Sequence, residues 1–294
     1  MAIVWKADAG LNARMMLSFV ILGVLYIVFL SILHYLGVRY IPLAIIASAM
    51  ILAQWYLSDK IVLWSSGAKI VSKEEYPRLH EIVERLSTNN GLPKPKVAMV
   101  NSPVPNAFAT GKSPRSSLVA VTTGILDVLD NDELEAVIGH ELSHVRSRDV
   151  LVLTLASVFS TVAWYLVRFG LFGGLQTRNR NSAGTSAIVL LVAITTWVVS
   201  FLIIRAISRY REFSADRGGA IMTGKPDKLA NALLKISGKI KVIPPKELEN
   251  VQKLNAFFII PALSGSSIAN LFSTHPPVEK RVQKLMEMKS GVNE

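Results

Sequence analysis

Four stretches of this chain run for 18 to 24 residues without Asp, Glu, Lys or Arg: 15–38, Tyr40–Ser58, Val150–Val167 and Asn181–Ile204. A helix needs about 20 apolar residues to cross the hydrocarbon of a bilayer, with about 17 as the lower limit. Each stretch meets that length, and none alternates charge at the 3.6-residue period of a soluble amphipathic helix. The sequence therefore predicts four transmembrane helices, at about 15–37, 40–58, 150–168 and 185–204. A fifth charge-free stretch, Leu254–Val278, is the longest at 25 residues. It carries Asn255, Pro261, Ser264, Gly265, His275, Pro276 and Pro277, which hydrocarbon cannot satisfy, and it is rejected as a span.

The spans explain how a mean hydropathy of +0.39 coexists with a net charge of +11. Four crossings put both termini and residues 59–149 on one side, and 28 of the 32 Lys and Arg fall there. By the positive-inside rule that side is cytoplasmic, with Arg168, Arg178 and Arg180 of the opposite loop the one contrary signal. The basic balance is thus a topological signal, with contact to anionic lipid headgroups secondary. No motif of interleaved basic and aromatic residues suggests nucleic acid. The absence of cysteine excludes a disulfide scaffold and is compatible with a reducing compartment. The hydrophobic share of 51% excludes disorder. The first span lacks a small-residue cleavage site and reads as an anchor.

The expected organisation is two spans in 1–58, half of a cytoplasmic domain in 59–149, a membrane hairpin in 150–205 and the other half in 206–294. In the first half Leu79, Ile82, Val83 and Leu86 recur at helical spacing over Glu74–Leu86, closed by Asn90, Gly91 and Pro93. Val97–Val100, Ala107–Thr110 and Leu118–Thr122 read as strands. A further helix starts near Asp130, which stands at capping-box spacing from Glu133. The second half reads as mostly helical.

That helix contains His140-Glu141-Leu142-Ser143-His144. Histidines at i and i+4 project from one face about 6 Å apart, which suits two imidazoles meeting one zinc ion. With 5 His and 13 Glu in the chain, the pattern is expected by chance roughly 0.004 times, so it is specific. Leu134, Ile138, Glu141 and Val145 form one stripe, placing Glu141 where packing alone prefers an apolar residue. A water activated at a metal is a partner that accounts for a carboxylate there. The metzincin extension fails, because Ser147 and Val150 replace its Gly and His. The third ligand must come from elsewhere, and Glu212 and Asp216 share one helix face beyond the hairpin. One could bind the metal while the other accepts from a ligand histidine; both could instead pair with Arg209, Arg211 and Arg217. His275 in its Thr-His-Pro-Pro loop reads as a fourth ligand, an oxyanion donor or a capped loop residue, with the donor preferred because a fourth ligand would close the site. His34 and His80 read as structural.

His140–His144, Arg211–Asp216, Asn106–Gly111 and the segment 273–277 together resemble the signature segments of the M48 zinc metalloproteases, specifically the membrane-bound HtpX type. The resemblance spans essentially the whole chain. It implies a mainly α integral membrane protein with an α+β zincin (gluzincin) domain built around a small sheet. It also implies one zinc per chain on His140, His144 and Glu212, Asp216 beside a ligand, Glu141 as general base, and His275 and Arg281 stabilising the tetrahedral intermediate. Asn106, Ala107, Phe108 and Ala109 would form an edge strand to which an extended substrate adds. The clients implied are unfolded, misfolded or damaged membrane proteins at the cytoplasmic membrane.

Helical rise from the spans to His144 and Glu212 places the metal within roughly 10 to 15 Å of the bilayer surface. Two other readings compete. An intramembrane site-2-type protease carries its motif inside an apolar span, whereas Asp130, Asp132, Glu133, Glu135, Arg146, Arg148 and Asp149 flank this one. A zinc-binding sensor or scaffold would need a closed four-ligand site and would have no use for Glu141.

Overall fold

In the computed structural model, residues 9–38, 41–171, 183–243 and 275–290 are described. The outer loop with Arg178 and Arg180, most of the rejected fifth stretch, and Ser273 and Thr274 lie outside them. Among the described residues the chain is mainly helical with one small sheet, and it divides into two compact units.

One unit joins Ala9–Tyr56 to Leu151–Ser208. It holds helices α1 (Ala9–Tyr35) and α2 (Ile41–Tyr56), nearly all of α7 (Asp149–Leu171) and the first part of α8 (Ala183–Thr223). Ala47, Ala163 and Ala193 are fully buried beside Phe29, Leu33 and Val189, small side chains letting helices approach closely. Large apolar side chains such as Met16, Val20, Ile27, Ile45 and Leu191 are more than half exposed. That distribution is what a helix shows when lipid is its solvent. Ala9–Tyr35 and Ser186–Thr223 are each long and apolar enough to cross a membrane, or three spans if the broken pair Ala44–Tyr56 and Lys60–Ser66 counts as one.

The other unit comprises Leu57–Val150 and the described residues from Arg209 onward. Its sheet has strands β1 (Lys69–Ile70), β2 (Lys96–Val100), β3 (Ala107–Thr110) and β4 (Leu118–Thr122) in the order β1-β2-β4-β3. β2 and β4 run parallel with Val97 opposite Val119, while β3 is antiparallel to β4 with Ala107 opposite Val121. The central strands are buried on both faces, which explains their near-continuous apolar runs. Val97, Met99, Val119 and Val121 enter the main core, while Ala98, Val100, Leu118 and Ala120 pack with Phe108 and with Val62 of α3 (Ser58–Ser66).

Helix α4 is Pro77–Asn89 and not Glu74–Leu86. Pro77 fixes a helical φ at N1 but pushes Tyr76 out of the helical region, so the helix cannot begin earlier. Ser72 and Glu75 form a local turn instead, with Ser72 N donating to Glu75 Oε2 over 2.8 Å. The short α5 (Thr123–Val128) leads to α6 (Asn131–Ser147), and α9 (Pro226–Val242) and α10 (Val278–Lys289) complete the unit. The expected strands and the helix from Asp130 are present; β1, α3 and α5 were not foreseen.

Candidate active site

Helix α6 is fixed at its start by a reciprocal cap. Glu133 N donates to Asp130 Oδ1 over 2.8 Å, and Asp130 N to Glu133 Oε2 over 2.9 Å. Glu133 also takes Lys235 Nζ of α9 at 2.7 Å, and Glu135 takes Arg85 at 3.1 Å and Lys225 at 2.8 Å. Burial works against the charge of Glu135, but Lys225 and Arg85 outweigh it and hold the carboxyl below its usual range. The helix is therefore tied to α4, to α9 and to the turn after α8 before its histidines come into play.

Two glycines then bring α6 against α8. A Cβ on Gly219 would lie 2.6 Å from His140 N and 2.8 Å from His140 Cα, and one on Gly139 would lie 2.7 Å from Thr223 Cγ2. The backbones cross with no side chain between them, next to His140 and two turns along α8 from Glu212. This crossing joins two segments that are remote in sequence.

At the crossing, one ligand atom from each of His140, His144 and Glu212 lies within 4.8 Å of the others. The two Nε2 atoms are 3.1 Å apart, and the Glu212 oxygens lie 3.5 Å from His144 Nε2 and 3.8 Å from His140 Nε2. His144 Nδ1 is 2.6 Å from Asp149 Oδ2. His140 Nδ1 is 3.0 Å from Asp216 Oδ1, off the line of a full hydrogen bond. An ionised carboxylate only accepts, so Nδ1 is the donor position of the His144 ring, and with Nδ1 turned to a carboxylate each ring has its Nε2 left to act as a metal ligand. Two ring nitrogens and a carboxylate converging on one point form a donor set for a cation. The donor set thus fits a divalent metal ion, and the carboxylates fix each ring's tautomer.

Arg281 of α10 is only 1% exposed and donates through Nε to Asp216 Oδ2 at 2.8 Å and through Nη2 to Asp216 Oδ1 at 2.6 Å. Its Nη1 lies 3.2 Å from Glu212 Oε2. Burial opposes this charge, yet the carboxylates of Asp216 and Glu212 raise the guanidinium above its ordinary value. Burial likewise penalises the Glu212 carboxylate, but His275, Arg281 and His144 hold it well below the usual range. His275 Nδ1 is 3.1 Å from Glu212 Oε2. Lys284, one turn beyond Arg281, sits 4.2 Å over the Phe213 ring and seats α10 on α8.

Glu141 is buried, 4% exposed, between the two histidines on α6, and its charge reaches Arg281. The structure therefore gathers His140, Glu141, His144, Glu212, Asp216, His275 and Arg281 in one place. Asn106 to Ala109 lie on and just before β3, an edge strand among the described residues, paired on one side with β4. His34 stands at the end of α1, and His80 Nε2 meets Val71 O at 3.0 Å, so neither belongs to the cluster. Asp149 and its partner Arg211 were not anticipated as site residues.

Residues 73–289 match the family model described as peptidase family M48. The chain belongs to peptidase family M48. It is 52% identical over 290 residues to Protease HtpX homolog 2 of Methanosarcina acetivorans, covering 98% of this chain and 99% of that one. It is 50% identical over 293 residues to Protease HtpX homolog of Moorella thermoacetica, covering 98% and 97%. This M48 chain is accordingly a metalloendopeptidase of the HtpX type, membrane-bound and acting on protein. The crystal structure of S. mikatae Ste24p shares its fold, with a TM-score of 0.56 at 17% identity over 92% of this chain and 64% of that one.

Proposed function

We propose that this M48 peptidase is zinc-dependent, crosses the cytoplasmic membrane four times and cleaves misfolded or damaged membrane proteins at the cytoplasmic face. The observation that carries the reading is the convergence of His140, His144 and Glu212 beside the buried Glu141. Two imidazole nitrogens and one carboxylate oxygen are the donor set of a catalytic zinc site that keeps a position open. When bound there, zinc polarises the scissile carbonyl and makes water more acidic.

The chain's own groups supply the proton transfers. Glu141 takes a proton from the attacking water as its oxygen bonds to the carbonyl carbon, then delivers that proton to the amide nitrogen as the C–N bond breaks. His275, whose Nδ1 lies against Glu212, donates a hydrogen bond to the developing oxyanion. Arg281 acts on the same step through the carboxylates it grips, with its fork committed to Asp216 and Nη1 to Glu212. Residues Asn106–Ala109 receive an extended substrate along the edge of β3 by main-chain hydrogen bonds, which selects for unfolded chain more than for sequence.

Helix geometry supports the substrate class. In the sequence, Glu212 lies eight residues beyond Ile204, the last residue of the charge-free stretch. Eight residues amount to about 12 Å if helical, a spacing that suits cleavage of loops and tails of membrane proteins. Helices α2 and α7 complete the proposed four crossings. The test is cleavage of an unfolded substrate by detergent-purified protein with its metal controlled. Glu141→Gln should retain zinc and lose at least about 100-fold in rate. Undiminished cleavage by that variant rejects Glu141 as the base, and zinc held by four protein groups without cleavage favours a sensor.

A further inference from the structure

Asp149 opens α7 five residues after His144, and Arg211 lies 62 residues later in α8, next to Glu212. Both are 7% exposed. Asp149 Oδ2 is 2.6 Å from His144 Nδ1, its Oδ1 pairs with Arg211 Nη2, and Arg211 Nη2 also donates to Ser147 O over 3.4 Å. The backbone is bent to make this possible. Arg148, the cap of α6, has φ +54°, a left-handed conformation that side-chain-bearing residues rarely adopt. That turn ends α6 and brings the Asp149 carboxylate back to the histidine it has just passed.

We propose that Asp149 and Arg211 are positioning residues of the metal centre, forming a latch that sets the second ligand and the third ligand together. The inference rests on the zinc-peptidase reading above. Asp149 fixes the tautomer of His144 and turns Nε2 toward the metal, while Arg211 holds Asp149. Because Arg211 and Glu212 are consecutive, the same ion pair sets where Glu212 enters the site. The path His144, Asp149, Arg211, Glu212 and back to His144 is a closed ring of contacts and one peptide link. His140 is held in the parallel way by Asp216 and Arg281, so each ligand histidine has its own carboxylate and each carboxylate its own guanidinium.

Charge makes the inference testable against a simple alternative. Arg211 is a cation close to a cation site, so its field alone opposes metal binding, and its removal should tighten zinc if field were the only effect. A positioning role has the opposite sign. Zinc dissociation constants of the full-length protein in detergent are measured by chelator competition, beside the visible spectrum of the cobalt-loaded protein. Asp149→Asn and Arg211→Met should each weaken zinc by about 10- to 100-fold and alter the cobalt spectrum, as loss of a ligand-orienting partner does. The double variant should be little worse than the weaker single one, since the two residues act as a unit, and Arg211→Lys should recover part of the loss. Should Arg211→Met fail to fold, Asp149→Asn and Arg211→Lys carry the same comparison. Wild-type zinc affinity and spectrum in Asp149→Asn, or tighter zinc in Arg211→Met, overturn the latch. A wild-type protein that binds no zinc overturns the zinc reading itself.

Discussion

Glu212 and Asp216 stand one turn apart on α8 yet meet different atoms. Glu212 faces the two Nε2 positions, whereas Asp216 faces the back of the His140 ring and the fork of Arg281. Glu212→Ala should therefore abolish stoichiometric zinc, while Asp216→Asn should weaken it by only about 10- to 100-fold. Metal analysis after dialysis against a weak chelator separates the two, and equal occupancy contradicts the assignment. The i, i+4 spacing of these carboxylates was legible in the sequence, but which of them would face the metal was not. That choice depends on how α6 crosses α8, and the crossing is set by Gly139 and Gly219, whose spacing carries no helical signature. Asp149 was less legible still. It read as one more charge flanking the motif, because the turn that returns it to His144 uses an arginine where glycine would announce a left-handed cap.

At the scale of elements, the crossing and the clamp on α6 make separate demands. Gly219→Ala places a methyl 2.6 Å from the backbone of His140, which cannot yield as a side chain could. We expect a loss of about 1 to 3 kcal/mol with lowered zinc occupancy, read by thermal unfolding and metal content. Gly139→Ala should cost less, because its nearest neighbour is a Thr223 methyl. The clamp predicts a pH dependence. Glu135 has a folded-state pKa below its unfolded value, so its contribution is fully present above about pH 4.3 and is lost as pH falls through the folded value. The fall in unfolding temperature below about pH 4 should be shallower in Glu135→Gln than in the unaltered protein. The strands and the capped start of α6 could be read from sequence because runs of Val and Ala and an Asp-x-x-Glu pair act locally. The two-residue β1 and the short α3 have no such signal; β1 exists by pairing with β2, and α3 by packing Val62 on the sheet face of Ala98, Val100, Leu118 and Ala120.

For the whole molecule, the proposed topology can be tested with a tool the sequence provides. The chain has no cysteine, so one introduced at a chosen position is unique. A membrane-impermeant maleimide applied to intact cells should label Asn179→Cys and spare Lys94→Cys until the membrane is opened. The reverse pattern rejects the cytoplasmic placement. The first and the last of the four charge-free stretches fall on Ala9–Tyr35 and Ser186–Thr223, the helices long and apolar enough to cross a membrane, and the labelling pattern bears directly on the other two.

The separation of the metal ligands along the chain also has a consequence in time. Glu212 follows His144 by 68 residues, and the proposed membrane hairpin lies between them. At about 5 to 20 residues per second, a ribosome needs roughly 3 to 14 s to make that interval. During it the nascent chain holds both histidines and the general base but lacks the carboxylate that completes the site. A chain that stalls before α8 lacks Glu212 and with it the third donor of the site.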